Sequence, residues 1–289
     1  MKNNEQTILV TGATGQLGCE IRAIAAKFPQ YHFLFVSKEE LGIDDRKAVE
    51  DYFSIHRIGY CINCAAYTAV DKAETERENA FLVNAEAAGN LAAVCRKHNA
   101  LLVHISTDYV FDGTGDKPYR ENDTTHPLGI YGASKLKGEQ LVLDNDPAAI
   151  IIRTSWLYSS FGNNFVKTML RLMKERENIN VVNDQYGCPT YAADLATTLL
   201  QIIASGKAEN NAGIYHYANT GITTWHQFAL TIKELSKNNC SVNPVSTDQY
   251  PTVAKRPKYS VLDTKKIRDT FSINIPEWKV SLQACLKAM

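Results

Sequence analysis

Short apolar runs alternate with amphipathic stretches from Thr7 to Arg153, a rhythm that predicts strands joined by helices and therefore a parallel α/β sheet. Ile8, Leu9 and Val10 open the series as an unbroken apolar run of the kind buried on both faces. His32 to Val36, Tyr60 to Asn63, Leu101 to Ile105 and Ala149 to Arg153 continue it. Between the runs, Leu17, Ile21, Ala25 and Phe28 recur at helical spacing. Asp44 to His56 and Asn84 to His98 do the same, the second with Phe81, Ala85, Ala88, Leu91 and Ala92 toward the sheet. Right-handed crossovers would put helices on both faces. Beyond Arg153 the rhythm loosens into helix candidates at Asn163 to Glu175, Ala192 to Ala204 and Thr224 to Leu235, with short strands at Ile179 to Val182 and in IYHY. A loop-rich stretch with Pro244, Pro251, Pro257 and Pro276 precedes a final helix. The pattern predicts a sheet domain over residues 1–153 and a smaller α/β lobe over 154–289, some of whose segments return to the sheet.

The first strand and helix are joined by TGATGQLG, with glycines at 12, 15 and 18. Gly12 permits a tight turn, Gly15 lets backbone approach phosphate oxygens, and Gly18 lets the helix pack closely. The free N–H groups and partial positive charge of that helix N-terminus suit a pyrophosphate. Flanked by its strand and helix, the pattern predicts a doubly wound, Rossmann-like dinucleotide-binding domain over 1–153 and a substrate-binding lobe beyond it. In such a sheet, ligands lie outside the carboxyl ends of the strands, where Gly12, Asn63 to Thr68 and Ser106 to Tyr109 all fall.

Composition narrows the partners. With 31 basic and 31 acidic residues there is no basic stripe for nucleic acid or anionic lipid, and no apolar run approaches the roughly 18 residues of a membrane span. A polar start, MKNNEQTILV, leaves no apolar region for a signal peptide, so the expected compartment is the cytoplasm. The odd count of seven cysteines suits that reducing setting. Cys61 and Cys64 form a C-x-x-C, but strand alternation would send their sulfurs to opposite faces, and no second pair completes a zinc set.

Tyr131 and Lys135, four apart at the start of a helix, share one face. A unit charge about 4 Å from a phenol, at an effective dielectric of roughly 20, is worth up to about 4 kcal/mol, enough to draw the phenol toward neutrality as a general acid. Ser106 and Thr107 end the preceding strand and could bond a reacting oxygen.

TGATGQLG, NCAAYTAVDKAE, HISTDYVFDGTGDKPYRE, HPLGIYGASKLKGE, RTSWLYSSFGNNFVKTML and RPKYSVLD together resemble the extended short-chain dehydrogenase/reductase family, most closely its dTDP-4-dehydrorhamnose reductase branch. The resemblance covers nearly the whole chain. It implies reduction of dTDP-4-dehydro-L-rhamnose by NADPH or NADH, with Tyr131, Lys135 and Thr107 as the catalytic set and Asp108 and Trp156 at the deoxysugar nucleotide. Asn84 matches a buried structural asparagine. The cofactor would meet Gln16, Leu17 and Gly18 at its pyrophosphate, Ala66, Tyr67 and Thr68 along the nicotinamide half, and Gly42 and Ile43 near adenine. Gly42 departs from the acidic residue usual there. Ser37 and Lys38 stand where an NAD-selective enzyme often carries a carboxylate, which predicts NADPH at least as good as NADH.

Tyr158 and Phe161, beside Trp156, could wall off the sugar and thymine or pack between the lobes, and Arg256 is a candidate clamp for the substrate diphosphate. Some family members dimerise through a magnesium held by glutamates. Glu20 matches one such position, but Ala193 stands where another is expected, which counts against a magnesium bridge and predicts a monomer or weak homodimer. Two other occupations share the motifs: a sugar-nucleotide epimerase or dehydratase that keeps its cofactor bound, and a non-catalytic regulatory subunit of the methionine adenosyltransferase type.

Overall fold

The computed structural model describes residues 6–289. The chain opens as β1 (Thr7–Thr11), α1 (Gln16–Ile24), β2 (His32–Val36), α2 (Arg46–Ile55) and β3 (Tyr60–Asn63). Short helices α3 (Val70–Ala73) and α4 (Arg77–Phe81) run into a π-helical turn at Leu82–Ala87, then α5 (Ala88–Lys97), β4 (Leu101–Thr107), α6 (Ile130–Asn145) and β5 (Ile150–Thr154). These strands and β10 (Gly213–His216) form one parallel six-stranded sheet in the order β10-β5-β4-β3-β1-β2.

Alternation along each central strand builds two cores. Ile8, Val10, Ile62, Val103, Ile150 and Ile152 face one side. Leu9, Cys61, Leu102 and Ile151 face the other, against Val49 and Phe53 of α2 and Leu91 and Val94 of α5. Cys64 packs on the first core and Cys61 lies in the second, so the C-x-x-C sulfurs do part across the sheet.

After β5 come β6 (Leu157–Tyr158), α7 (Phe165–Glu175), β7 (Asn178–Val182), β8 (Tyr186–Gly187), β9 (Thr190–Tyr191) and α8 (Ala192–Ala204). The chain continues through β10 (Gly213–His216), β11 (Thr223–Thr224), α9 (Trp225–Leu235), β12 (Ser241–Val245), α10 (Lys265–Phe271) and α11 (Trp278–Lys287). α8 supplies Leu195, Leu199 and Ile203 to the first sheet core, and β10 pairs with β5, so the sheet domain draws on both halves of the chain. The remaining elements gather around Val166, Met169, Ile179, Phe228, Ile232, Trp278 and Leu282, the core of the smaller lobe. Among the described residues, no helix is long and apolar enough to cross a membrane.

Two stretches differ from the sequence pattern. The proline-rich segment expected as loop contains β12, which pairs in parallel with β7 in a two-stranded ribbon; Pro244 is tolerated because each strand there has a free edge. The helix expected from Asn84 begins inside the π turn, a one-residue change of register that hydrophobic spacing does not reveal.

Candidate active site

Strand order reverses at β1, which is flanked by β2 on one side and β3 on the other, and a crevice opens outside their carboxyl ends. Gly12, at φ +62, turns the chain there. A Cβ on it would lie 2.7 Å from the Ala65 backbone nitrogen, so the loops after β1 and β3 touch only because residue 12 has no side chain. A Cβ on Gly18 would lie 2.6 Å from Ala13 Cα and from the Gly12 carbonyl, so this glycine serves the loop's own closure. Gly15 precedes α1 with no side-chain cap, which leaves the first N–H groups of the helix facing the crevice. Below it, Thr11 Oγ1 donates to Asn63 Oδ1 at 2.7 Å, and Asn63 Nδ2 donates to His104 Nδ1 at 3.0 Å, fixing the strand ends.

The resulting cleft of about 710 Å³ brings together Gly12, Gly15, Gln16, Leu17, Gly18, Ile43, Ala66, Tyr67, Thr68, Thr107, Asp108, Tyr131, Lys135 and Trp156. Ser37, Gly42 and Arg256 do not line it. Ser37 is tied into its own turn, its N–H donating to Glu40 Oε2 at 2.7 Å and its hydroxyl accepting from the Glu40 N–H at 3.3 Å, while Lys38 faces the cleft. Around position 42 the cleft is met by Leu41, Ile43 and Asp44.

Tyr131 and Lys135 reach the cleft from the first turns of α6, whose opening N–H at Ile130 donates to Glu74 Oε1 at 2.8 Å. The π turn serves this placement. Asn84 Oδ1 accepts from the Tyr67 N–H at 2.9 Å, and its Nδ2 donates to the Tyr67 carbonyl at 3.0 Å and to Ser134 Oγ at 3.0 Å, joining the loop after β3 to α6. The expected electrostatics need correcting. Burial pushes the Tyr131 phenol up to about 12, with a hydrogen bond from Thr107 opposing it. Lys135 is buried too and donates to the Ile105 carbonyl at 2.6 Å; burial draws its ammonium down to about 8, with Glu139 opposing. Desolvation dominates at both groups, so the phenol stays protonated.

Asp108 is buried with Oδ2 unpartnered, while Oδ1 accepts the Thr107 hydroxyl at 3.1 Å. Burial pushes this carboxyl up to about 7, with Ser260, whose hydroxyl lies close without satisfying Oδ2, and Thr107 opposing. The folded value lies above the unfolded one, near 3.9, so the folded state holds the extra proton between those values. Its stability contribution is fully present below about pH 4 and is lost as pH rises through about 7. Asp108→Asn should therefore raise Tm by about 2–4 °C at pH 8 and leave it unchanged near pH 4, which melts at the two pH values would check.

Trp156 adopts φ +46 and stacks on Trp225, ring centroids 3.6 Å apart at 8°, with Gly187 under its edge. Its neighbours divide: Tyr158 is buried in the small-lobe core and does not wall the cleft, and Phe161 is exposed on the following loop. Arg256 is already engaged, Nη2 donating to Asp71 Oδ2 at 2.7 Å and Nη1 to Asp71 Oδ1 and the Ala254 carbonyl, both at 3.1 Å. It straps residues 254–256 to α3 instead of presenting a free fork to a diphosphate. Asp71→Asn and Arg256→Gln should then have similar effects, each within about 1 kcal/mol on stability for a pair still partly open to solvent. Parallel denaturant melts and substrate KM values would check this; a KM rise confined to Arg256→Gln would restore the clamp.

Sequence reasoning missed Asn164. It caps α7 by accepting from the Lys167 N–H at 3.1 Å and sends its Nδ2 across to Gln16 Oε1 at 2.9 Å, binding the small lobe to the phosphate loop. An asparagine before a helical pattern signals a cap, but nothing in it signals the distant partner. One turn on from Gln16, Glu20 is buried and accepts the Ser159 hydroxyl at 2.6 Å.

A family model described as the RmlD substrate binding domain matches residues 6–289. The chain belongs to this family. Curated relatives named dTDP-4-dehydrorhamnose reductase include those of Salmonella typhimurium, 44% identical over 98% of this chain and 97% of its own length, and Aggregatibacter actinomycetemcomitans, 41% identical over 96% and 97%. Among solved structures of the same reductases, that from Bacillus anthracis in complex with NADP has a TM-score of 0.94 at 40% identity, covering 99% of this chain and 100% of the other. That from Clostridium acetobutylicum has a TM-score of 0.92 at 41% identity over 98% and 99%. The reductase family thus accounts for the whole described fold.

Proposed function

We propose that the protein is an NAD(P)H-dependent oxidoreductase that reduces the C4 ketone of dTDP-4-dehydro-β-L-rhamnose to give dTDP-β-L-rhamnose. The observation that carries this reading is the meeting of Thr107, Tyr131 and Lys135 in one cleft with an uncapped, glycine-turned helix N-terminus, in a chain of the dTDP-4-dehydrorhamnose reductase family.

The residues present fit a dinucleotide. The N–H groups of Gln16, Leu17 and Gly18 can hold a pyrophosphate, Ile43 and Leu41 offer an apolar wall for adenine, and the loop Ala66 to Thr68 borders the nicotinamide half. When bound, the dihydronicotinamide supplies hydride to the carbonyl carbon. The protein supplies the proton and the alignment: Tyr131 donates from its phenol oxygen to the ketone oxygen as negative charge builds there, and Thr107, turning its hydroxyl from Asp108 Oδ1, hydrogen-bonds the phenolate left behind. Lys135 stabilises that phenolate through its positive charge. The orphaned Oδ2 of Asp108 supports a role in accepting a sugar hydroxyl, because such a bond would remove the cost of a buried unpaired acceptor. Trp156, backed by Trp225, closes the far wall.

The test is ketosugar-dependent loss of reduced-nicotinamide absorbance, with the product identified by NMR. An epimerase or dehydratase would interconvert sugars with no net loss, and a regulatory subunit would do neither. Lys38 in the cleft, with Ser37 tied away, favours NADPH, since an ammonium can pair with a 2′-phosphate. Lys38→Ala should lower kcat/KM for NADPH by about tenfold and leave NADH nearly unaffected, as paired steady-state kinetics would reveal.

A further inference from the structure

α6 carries Tyr131, Lys135 and Glu139 at four-residue spacing, and only the first two line the cleft. Glu139, 1% exposed, turns to the sheet: Oε1 accepts from Ser106 Oγ at 2.5 Å and from Arg153 Nε at 2.9 Å, and Oε2 accepts from Arg153 Nη2 at 2.7 Å. Arg153, on β5, is 2% exposed, and its Nη1 donates to the Glu121 carbonyl at 3.3 Å. Resting on the reductase reading above, we infer that Glu139 is a positioning residue for the reduction: locked behind the cleft by Arg153 and Ser106, it holds Lys135 in its ammonium form.

The groups around Lys135 single out this carboxylate. On its own helix, Tyr131 is a neutral phenol. From the end of β3, Cys64 also favours the ammonium, more weakly than Glu139, but its buried thiol is pushed up and stays protonated. From β4, His104 is pushed down by burial and by Lys135 itself, and is neutral. Asp108, at the end of the same strand, acts on Tyr131 and not on the lysine. From β10, His216 accepts from Arg153 Nη1 at 3.4 Å and donates from Nδ1 to the Tyr119 carbonyl at 3.0 Å; burial and Arg153 draw it down to about 3, so it is neutral as well. Glu139 is then the full negative charge that opposes the desolvation of Lys135. A buried ion pair gains little stability over an apolar pair of the same shape. Its charge matters here because a neutral amine would leave the Tyr131 phenolate uncompensated during proton donation.

Two readouts separate this from a purely structural tie between α6 and β5. One is the pH profile of kcat with NADPH and the 4-keto sugar. The other, which needs no substrate, is an NMR titration of protein labelled with carbon-13 at lysine Cε, the Lys135 signal being identified by its loss in Lys135→Met. Glu139→Gln keeps the shape and removes the charge. It should move the lysine titration and the alkaline limb of kcat down by about one unit or more, so that the ratio of turnover on the alkaline side to that near pH 6.5 falls about tenfold. Arg153→Gln leaves the carboxylate unopposed and should move both upward. Opposite signs cannot come from general loosening. If either single variant fails to fold, Glu139→Gln/Arg153→Gln removes both charges together, and a downward shift is again expected. A lysine titration that stays put, with kcat lowered equally at every pH, would overturn the inference. If the wild type reduces no ketosugar, the reductase reading falls, while a downward lysine shift in Glu139→Gln would still establish that Glu139 sets its charge.

Discussion

Tyr131→Phe should lower turnover by roughly 10²- to 10⁴-fold and leave NADPH affinity within a few-fold of wild type, the signature of an interaction made only in the transition state. The phenol at about 12 is a weak acid at rest, as a group buried against Tyr109 and Thr107 should be. An alkoxide is far more basic still, its conjugate acid lying near that of water, roughly 15.7, so proton transfer from the phenol to the forming alkoxide runs downhill. Phenylalanine keeps the ring contact with Tyr109 and leaves only water as donor. Because the phenol holds its proton across the neutral range, Tyr131 should impose no limb on the profile below about pH 10, and the alkaline limb should belong to Lys135, near 8. Single-turnover kinetics and a fluorescence titration with NADPH would check both parts; an unchanged rate would remove Tyr131 from the chemistry.

Gly12→Ala should be the most damaging small change in the phosphate loop. The new methyl would meet Ala65 N at 2.7 Å, Ala65 Cα at 2.8 Å and the Cys64 carbonyl carbon at 2.8 Å, all backbone with no rotamer to yield. Left-handed backbone costs a non-glycine residue roughly 1–2 kcal/mol and overpacking roughly 1–3 kcal/mol. The expected result is a Tm lower by about 5–10 °C, with NADPH binding weakened at least about tenfold as the loops after β1 and β3 part. Gly15→Ala is the control. Its Cβ would meet only the Gly12 carbonyl, at 3.2 Å, so Tm should barely move while the methyl intrudes where the pyrophosphate approaches. Calorimetry and NADPH titration on both variants separate the roles; equal Tm loss in the two would contradict the assignment.

The sheet was legible because its central strands are buried on both faces and so appear as unbroken apolar runs: β3 falls on the residues that hydropathy marks, as does the half-buried edge strand β2, and β4 and β5 differ from it only at their ends. α8 was legible as a helix, but its place in the sheet domain was not, since nothing in Ala192 to Ala204 tells which core its leucines fill. At the site, the tight turn at Gly12 could be read directly, whereas Gly18 could be read only as a close approach, its partners being Gly12 and Ala13 of the same loop and not the sheet. Tyr131 and Lys135 could be paired from helical spacing, yet their charge states could not, because desolvation depends on what closes over them. Arg256 shows the same limit: a guanidinium near the cleft suggests an anion, and the structure supplies Asp71 from α3, 185 positions away in the chain.

The most direct measurement is transfer of label from NADPH carrying deuterium at nicotinamide C4 to dTDP-4-dehydro-β-L-rhamnose generated in situ. The account predicts stoichiometric loss of NADPH and a deuterium retained on C4 of the rhamnosyl product by mass spectrometry and NMR. Interconversion of sugars with no net consumption of NADPH, or a product bearing no label at C4, would contradict it.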